Sequence, residues 1–205
     1  MPFSEKEFQF LTDTDFLLAR AEITRKLANL LNATVRVLKP LAQQHSTSFP
    51  QGTDVRNGRL SRGENYRGLP WLVLDFPRKF SQEEVFALRT MVWWGHECSC
   101  TLHVQGETAR RLLPALVGNL PAAAAGNCFF CLNPSPWEYH FGPANYLPAS
   151  QVSAAMLQQQ VNRHQFFKIS RKLPLLHADK LPVFSKETFE MYFYQLLASP
   201  DEHSM

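Results

Sequence analysis

The stretch from Leu69 to Val104 constrains this chain more than any other. It holds three apolar runs, Leu69–Phe76, Val85–Trp94 and Cys98–Val104, rich in β-branched and aromatic residues and joined by short connections. Strands that follow one another this closely pair as neighbours, so the spacing predicts an antiparallel meander. Alternation along the first run puts Trp71, Val73 and Asp75 on one face and Leu72, Leu74 and Phe76 on the other. Both faces are largely apolar, which predicts a central strand covered on both sides. A carboxylate in that setting needs a cationic partner, and Arg89 on the next strand is a better candidate than Arg78 at the corner. The corner itself, Phe80 to Val85, carries cap and staple spacing, so one helical turn is expected at 81–84.

Helices flank this meander. Ser4 and Glu7 stand at capping-box spacing, with Phe3 and Phe8 at staple spacing, and predict a short first helix. A long second helix is expected from about Asp13 to Leu38, because Ile23, Leu27, Leu30, Leu31, Thr34 and Leu38 recur at helical spacing, and Pro40 gives it an end near residue 39. Further helices are expected at 107–117, at 151–162 behind Ser150, and near the C-terminus behind Ser185. Residues 120–126 read as a low-complexity link. Residues 127–132 and 137–141 read as a hairpin around Asn133 to Pro136, and 165–170 as one more strand.

Composition bounds what such a chain can be. A 205-residue chain that is 45% hydrophobic can bury a substantial core as one domain. The net charge of +3 lacks the concentrated basic face of a nucleic-acid binder. The N-terminus has acids and no long apolar run, and no stretch has the length of a membrane span, so a cytoplasmic protein without membrane contact is expected. Cys98, Cys100, Cys128 and Cys131 lie among apolar residues and read as buried thiols. Cys128 and Cys131 have the spacing of a redox or zinc pair. Their strand-like surroundings argue against redox chemistry, and two further zinc ligands are missing, so no metal and no cofactor are expected.

The chemistry-bearing feature is a glycine-arginine stretch at 56–68, the end of a long polar connection and read here as a loop. Arg56, Arg59, Arg62 and Arg67 meet one acid within it, Glu64, and Gly58, Gly63 and Gly68 recur every five residues. Glycines permit close backbone approach and arginine forks suit carboxylate or phosphate, although the Gly-Lys-Ser/Thr ending of a phosphate-binding P-loop is absent. The bland alternative is a solvated surface loop. The candidate ligand-binding residues are Arg59, Arg62, Glu64, Asn65 and Tyr66 in this stretch, with Asp75, Arg78, Arg89 and His103 from the meander. No histidine pair has metalloprotease spacing, and no nucleophile elbow or dinucleotide fingerprint is present.

Phe3 to Phe8 followed by Thr12 and Ala19 to Ile23, together with Tyr66-Arg-Gly-Leu-Pro70 leading into an apolar strand, resembles an uncharacterised bacterial family, the YktB-like proteins. The resemblance covers the first half of the chain. It implies N-terminal helices preceding an antiparallel sheet, and no activity. The family's basic segment with histidines is not matched, since residues 51–62 hold arginines and no histidine.

The expected architecture is a single α+β domain. A helical segment at 4–40 precedes a sheet meander at 69–104, and the remaining helices and strands fill 107–200, giving five or six mainly antiparallel strands. Two functions stay open. One is a binding or interaction protein that holds an anionic ligand with the Arg/Gly stretch. The other is an enzyme of unknown class with its site beneath residues 56–68. Two converging titratable groups in a concave site would favour the enzyme.

Overall fold

The computed structural model describes residues 2–198 and shows an α+β protein with one antiparallel sheet. Seven strands, one more than the upper expectation, run in the order β1-β2-β3-β4-β7-β5-β6. They are β1 (Arg59–Tyr66), β2 (Leu69–Phe80), β3 (Val85–Trp93), β4 (Glu97–Gln105), β5 (Phe129–Cys131), β6 (Tyr146–Pro148) and β7 (Phe166–Pro174). The meander β2-β3-β4 forms as the spacing predicts. Val73 pairs with Met91 and Met91 with Ser99, each strand antiparallel to the one before it.

Six α-helices accompany the sheet: α1 (Glu5–Thr12), α2 (Thr14–Gln44), α3 (Glu107–Gly118), α4 (Leu120–Ala125), α5 (Ala154–His164) and α6 (Leu181–Glu190). The capping box of α1 forms between Ser4 and Glu7, and Asp13 caps α2 by accepting from the Phe16 N–H. The main core lies between the helices and one sheet face. There Leu31 and Leu38 of α2 and Phe189 of α6 meet Leu74, Phe76, Leu88, Leu102 and Ile169. The opposite face carries Val73, Met91 and Trp93, covered by Tyr139 from the segment at 132–145. The central strands are thus buried on both sides, as their two apolar faces require.

Several boundaries differ from the sequence reading. Residues 59–66 are strand rather than loop, because β2 offers an open edge and β1 pairs with it from Arg59↔Asp75 to Tyr66↔Leu69. The corner at 81–84 is a turn without helix, held by mutual bonds between Ser81 and Glu84. The 120–126 stretch is a helix, since alanine is the best helix former and Pro121 sits in its first turn. β5 pairs with β6 rather than with 137–141, which forms no strand and folds over the sheet instead. Ser153, not Ser150, caps α5 by accepting from the Met156 N–H, and α5 runs to His164. α6 begins at Leu181, with Pro182 at its start, and Ser185 is buried inside it. α2 continues through Pro40 to Gln44 because Leu38 and Ala42, both fully buried, hold its last turns on the core.

Candidate functional site

Side chains of odd-numbered β3 and β4 residues, and of β2 as far as Asp75, project to the sheet face away from the helices. They build a polar row inside an apolar setting. Arg89 Nε and Nη2 donate to Asp75 Oδ1 and Oδ2 at 2.7 and 2.8 Å, a bidentate fork across β2 and β3. The Arg89 guanidinium also lies 4.8 Å from the Tyr139 ring centre. Burial disfavours its charge, yet Asp75 outweighs that and its pKa is raised. In the register, Arg89 faces Thr101 and Thr101 faces Ser170, whose hydroxyls bond to each other at 2.6 Å.

One register step along, Ala87, His103 and Lys168 align across β3, β4 and β7. His103 is 1% exposed, and neither ring nitrogen has a hydrogen-bond partner. Burial, with the nearby Lys168 and Arg89 charges, drives its pKa well below the ordinary value, so it stays neutral. Lys168 is fully buried, 4.2 Å over the Tyr139 ring, and donates to the Glu138 carbonyl. Burial pulls its pKa down to about 8, and Arg89 adds to the effect while Cys131 opposes it.

The segment at 132–145 closes over this row, and Tyr66 fastens it. The Tyr66 hydroxyl donates to Glu138 Oε2 at 3.0 Å and accepts the N–H groups of Tyr139 and His140 at 2.7 and 3.1 Å. Asn145 ties the segment internally by donating to the His140 carbonyl at 2.7 Å. Beneath this cover His103 and Lys168 have almost no exposed surface.

Where the cover ends, the same face opens into a groove of about 350 Å³ lined by Arg67, Trp93, His96, Glu97, His140, Phe141 and Lys172. Arg67 comes from the two-residue turn between β1 and β2, where Arg67 and Gly68 both have positive φ (52° and 86°) and Asn65 Oδ1 accepts the Gly68 N–H. Such turns favour asparagine and glycine, so an arginine here carries backbone strain that a side-chain role would justify. Its guanidinium lies 3.9 Å from Glu138 Oε2 and is more than half exposed, a loose engagement. Lys172 Nζ sits 5.0 and 5.5 Å from the Phe129 and Phe141 rings and forms no ion pair among the described residues. His96 stacks on Trp93 at 3.6 Å between centroids. His140 accepts the Gly142 N–H through Nδ1 and points Nε2 at Glu138, 3.6 Å away. Burial and the Arg67 charge lower its pKa.

The nine residues singled out from the sequence do not form one site. Strand alternation sends Arg59 and Arg62 to opposite faces. Arg59 stands level with Asp75, whereas Arg62 lines a groove against α2 with Ala21, Arg25 and Leu72. Glu64 is engaged by Arg20 of α2. Asn65 serves the turn, and Tyr66 fastens the cover. Arg78 pairs with Asp54 at 3.5 Å. Asp75, Arg89 and His103 share the buried row. Arg67, His96, His140, Lys168 and Lys172 escaped the candidate set. The alternation Phe166, Lys168, Ser170, Lys172 carried a signal for the two lysines, but only the full strand at 166–174 makes it readable.

Among the described residues no three His, Cys, Asp or Glu side chains gather to hold a metal ion. All four cysteines are buried free thiols, and burial pushes Cys98, Cys100 and Cys128 up to about 12. No helix of the described residues is long and apolar enough to cross a membrane. Comparison with protein-family models, curated proteins and solved structures gave no match.

Proposed function

We propose that this is a binding protein for a small anionic ligand, held in the groove at the end of the 132–145 segment. The observation that carries this reading is convergence: Arg67 from the β1–β2 turn, His96 from the β3–β4 turn, Lys172 from β7 and His140 from the cover reach one concavity. Arg67 supplies a planar fork for a carboxylate or phosphate, and Lys172 a point charge with no carboxylate partner among the described residues. The His96–Trp93 stack and Phe141 supply flat walls, which suit a ligand joining an anionic group to a planar ring. Glu97 in the lining disfavours ligands of high negative charge density on its side.

This reading keeps the anion expected from the arginine-rich stretch and moves its site from Arg59 and Arg62 to Arg67. Titration calorimetry with inorganic phosphate, a nucleoside monophosphate and benzoate tests it. Binding is expected to weaken with salt, because an open site is screened over about 8–10 Å. Arg67→Ala and Lys172→Ala are each expected to reduce affinity at least tenfold, and Arg62→Ala to leave it unchanged. Absence of binding by all three probes, or loss of it in Arg62→Ala alone, refutes this site.

The enzyme reading has one observation in its favour, the aligned His103 and Lys168, whose shifted protonation is a common property of active sites. It ranks second because Tyr66 and the segment it fastens cover both groups. A cytoplasmic location accords with the reduced thiols. Kinship with the YktB-like proteins rests on the first-half motifs and would add no activity.

A further inference from the structure

The N-terminal arm of this chain is built unlike the rest of it. α1 has no buried residue. α2 is 31 residues long, about 46 Å at the usual rise, yet its first buried residue is Leu27. Everything before Arg20 stands clear of the sheet, residues 20–25 touch only its β1 edge, and the arm is not polar. Phe3, Phe8, Phe10 and Phe16 are 64%, 51%, 56% and 51% exposed. Three leucines and an isoleucine between Leu11 and Ile23 are exposed to a similar degree. Most of the large exposed apolar side chains of the described residues fall in this one arm.

We propose that the arm pairs with the same arm of a second copy, in antiparallel fashion, to make a two-fold dimer. The area matches such a contact. Four phenylalanines about half exposed present roughly 400 Å² of apolar surface, already as much as the largest patch on an ordinary monomer. The aliphatic side chains add about as much again. Two copies that bury three quarters of this surface remove roughly 1,200 Å², the lower bound for a stable interface.

The spacing and charges fit a second copy of this arm. Phe16, Ile23, Leu30 and Val37 recur every seven residues along α2; Leu30 and Val37 lean on the core, and Phe16 and Ile23 are bare. Between residues 5 and 15 the arm carries Glu5, Glu7, Asp13 and Asp15 against Lys6 alone, whereas residues 20–26 carry Arg20, Arg25 and Lys26 against Glu22. An antiparallel two-fold pairing sets each acidic end beside the partner's basic stretch. Arg20 is already engaged by Glu64, so Arg25 and Lys26 are the charges on offer, and their pairs with Glu22 are exposed and weak enough to rearrange. The same four acids disfavour an anionic lipid surface as the occupant.

Sedimentation velocity on the full chain tests this across concentrations from about 1 to 200 μM, which brackets the weak end of interface affinities. The expected result is a species of twice the 23.5 kDa chain mass. Phe8→Asp with Phe16→Asp is expected to give a monomer that melts as the wild type does at concentrations where the wild type is itself monomeric, since neither side chain is buried in the single chain. Glu5→Lys with Asp15→Lys, which leaves the Asp13 cap of α2 intact, is expected to weaken assembly at least tenfold, and adding Arg25→Glu with Lys26→Glu to restore it. A wild-type chain monomeric throughout, a dimer that survives Phe8→Asp with Phe16→Asp, or charge reversal that has no effect overturns the proposal. A monomeric chain that floats with phosphatidylcholine–phosphatidylserine vesicles overturns it as well and assigns the arm to lipid.

Discussion

Arg89 grips Asp75 through two parallel hydrogen bonds of 2.7 and 2.8 Å across β2 and β3, with the carboxylate side chain only 5% exposed. The pair is directly opposed in the sheet register, so both charges are fixed by strand pairing and not by loop geometry. Asp75→Ala leaves the guanidinium buried beneath Tyr139 without a counter-charge. The expected loss is about 3–5 kcal/mol in urea denaturation. The double variant Asp75→Leu with Arg89→Met is expected to be more stable than either single variant, because removing both charges removes the unpaired one. A loss below about 1 kcal/mol in Asp75→Ala would mean that water or another group already satisfies Arg89.

His103 gives the protein an acid-sensitive stability. Its folded pKa lies well below the ordinary 6.5, and the cause is burial, reinforced by Lys168 and Arg89. Below pH 6.5 the unfolded chain takes up a proton that the folded chain refuses, so this contribution is present above pH 6.5 and is lost as pH falls. Stability is therefore expected to fall as pH drops below 6.5. His103→Phe should flatten the profile in that interval, as read from urea midpoints.

Lys168 acts in the alkaline range. Its folded pKa of about 8 lies below the ordinary 10.5, so between these values the unfolded chain binds the extra proton and stability rises with pH. The difference between the wild type and Lys168→Met is expected to shift in favour of the wild type by about 1–2 kcal/mol from pH 8 to 9.5. A pH-independent difference would show that Lys168 keeps its ordinary titration.

Tyr66 holds the cover with one oxygen that serves three groups. Tyr66→Phe leaves the Tyr139 and His140 N–H groups unsatisfied and should cost about 1–3 kcal/mol. The more specific readout is hydrogen exchange. Protection is expected to fall at residues 138–141 and to remain at the β3–β4 pairing. Uniform loss across both would make Tyr66 a core residue and not a fastening.

Gly106 joins β4 to α3 with φ of 81°, and a Cβ there would strike the Glu83 carbonyl. Gly106→Ala is expected to lower stability by at least about 1 kcal/mol, since both the backbone angle and the space oppose it. Gly118→Ala, where a Cβ meets open space, is the matched control in the same melting experiment.

The local pattern of the sequence determined the meander, the face assignment along β2, the α1 capping box and the Asp75–Arg89 pairing. Each rests on neighbours a few residues apart or on two consecutive strands, where spacing alone sets geometry. Residues 56–68 show the limit. Their glycines and arginines read as a loop, but the open edge of β2 made them a strand, and alternation then split Arg59 from Arg62. The Ser185 cap failed for a related reason: a sequence-level cap signal says nothing of the buried contacts that let α6 begin at Leu181. Only the tertiary structure brought Arg67, His96, His140 and Lys172 to one groove, since they come from four segments spread over more than a hundred residues. It alone decided that His103 and Lys168 lie side by side in a dry place, because β7 reaches β4 across 60 intervening residues. Burial and non-local register, not residue identity, set the charge state of those two side chains.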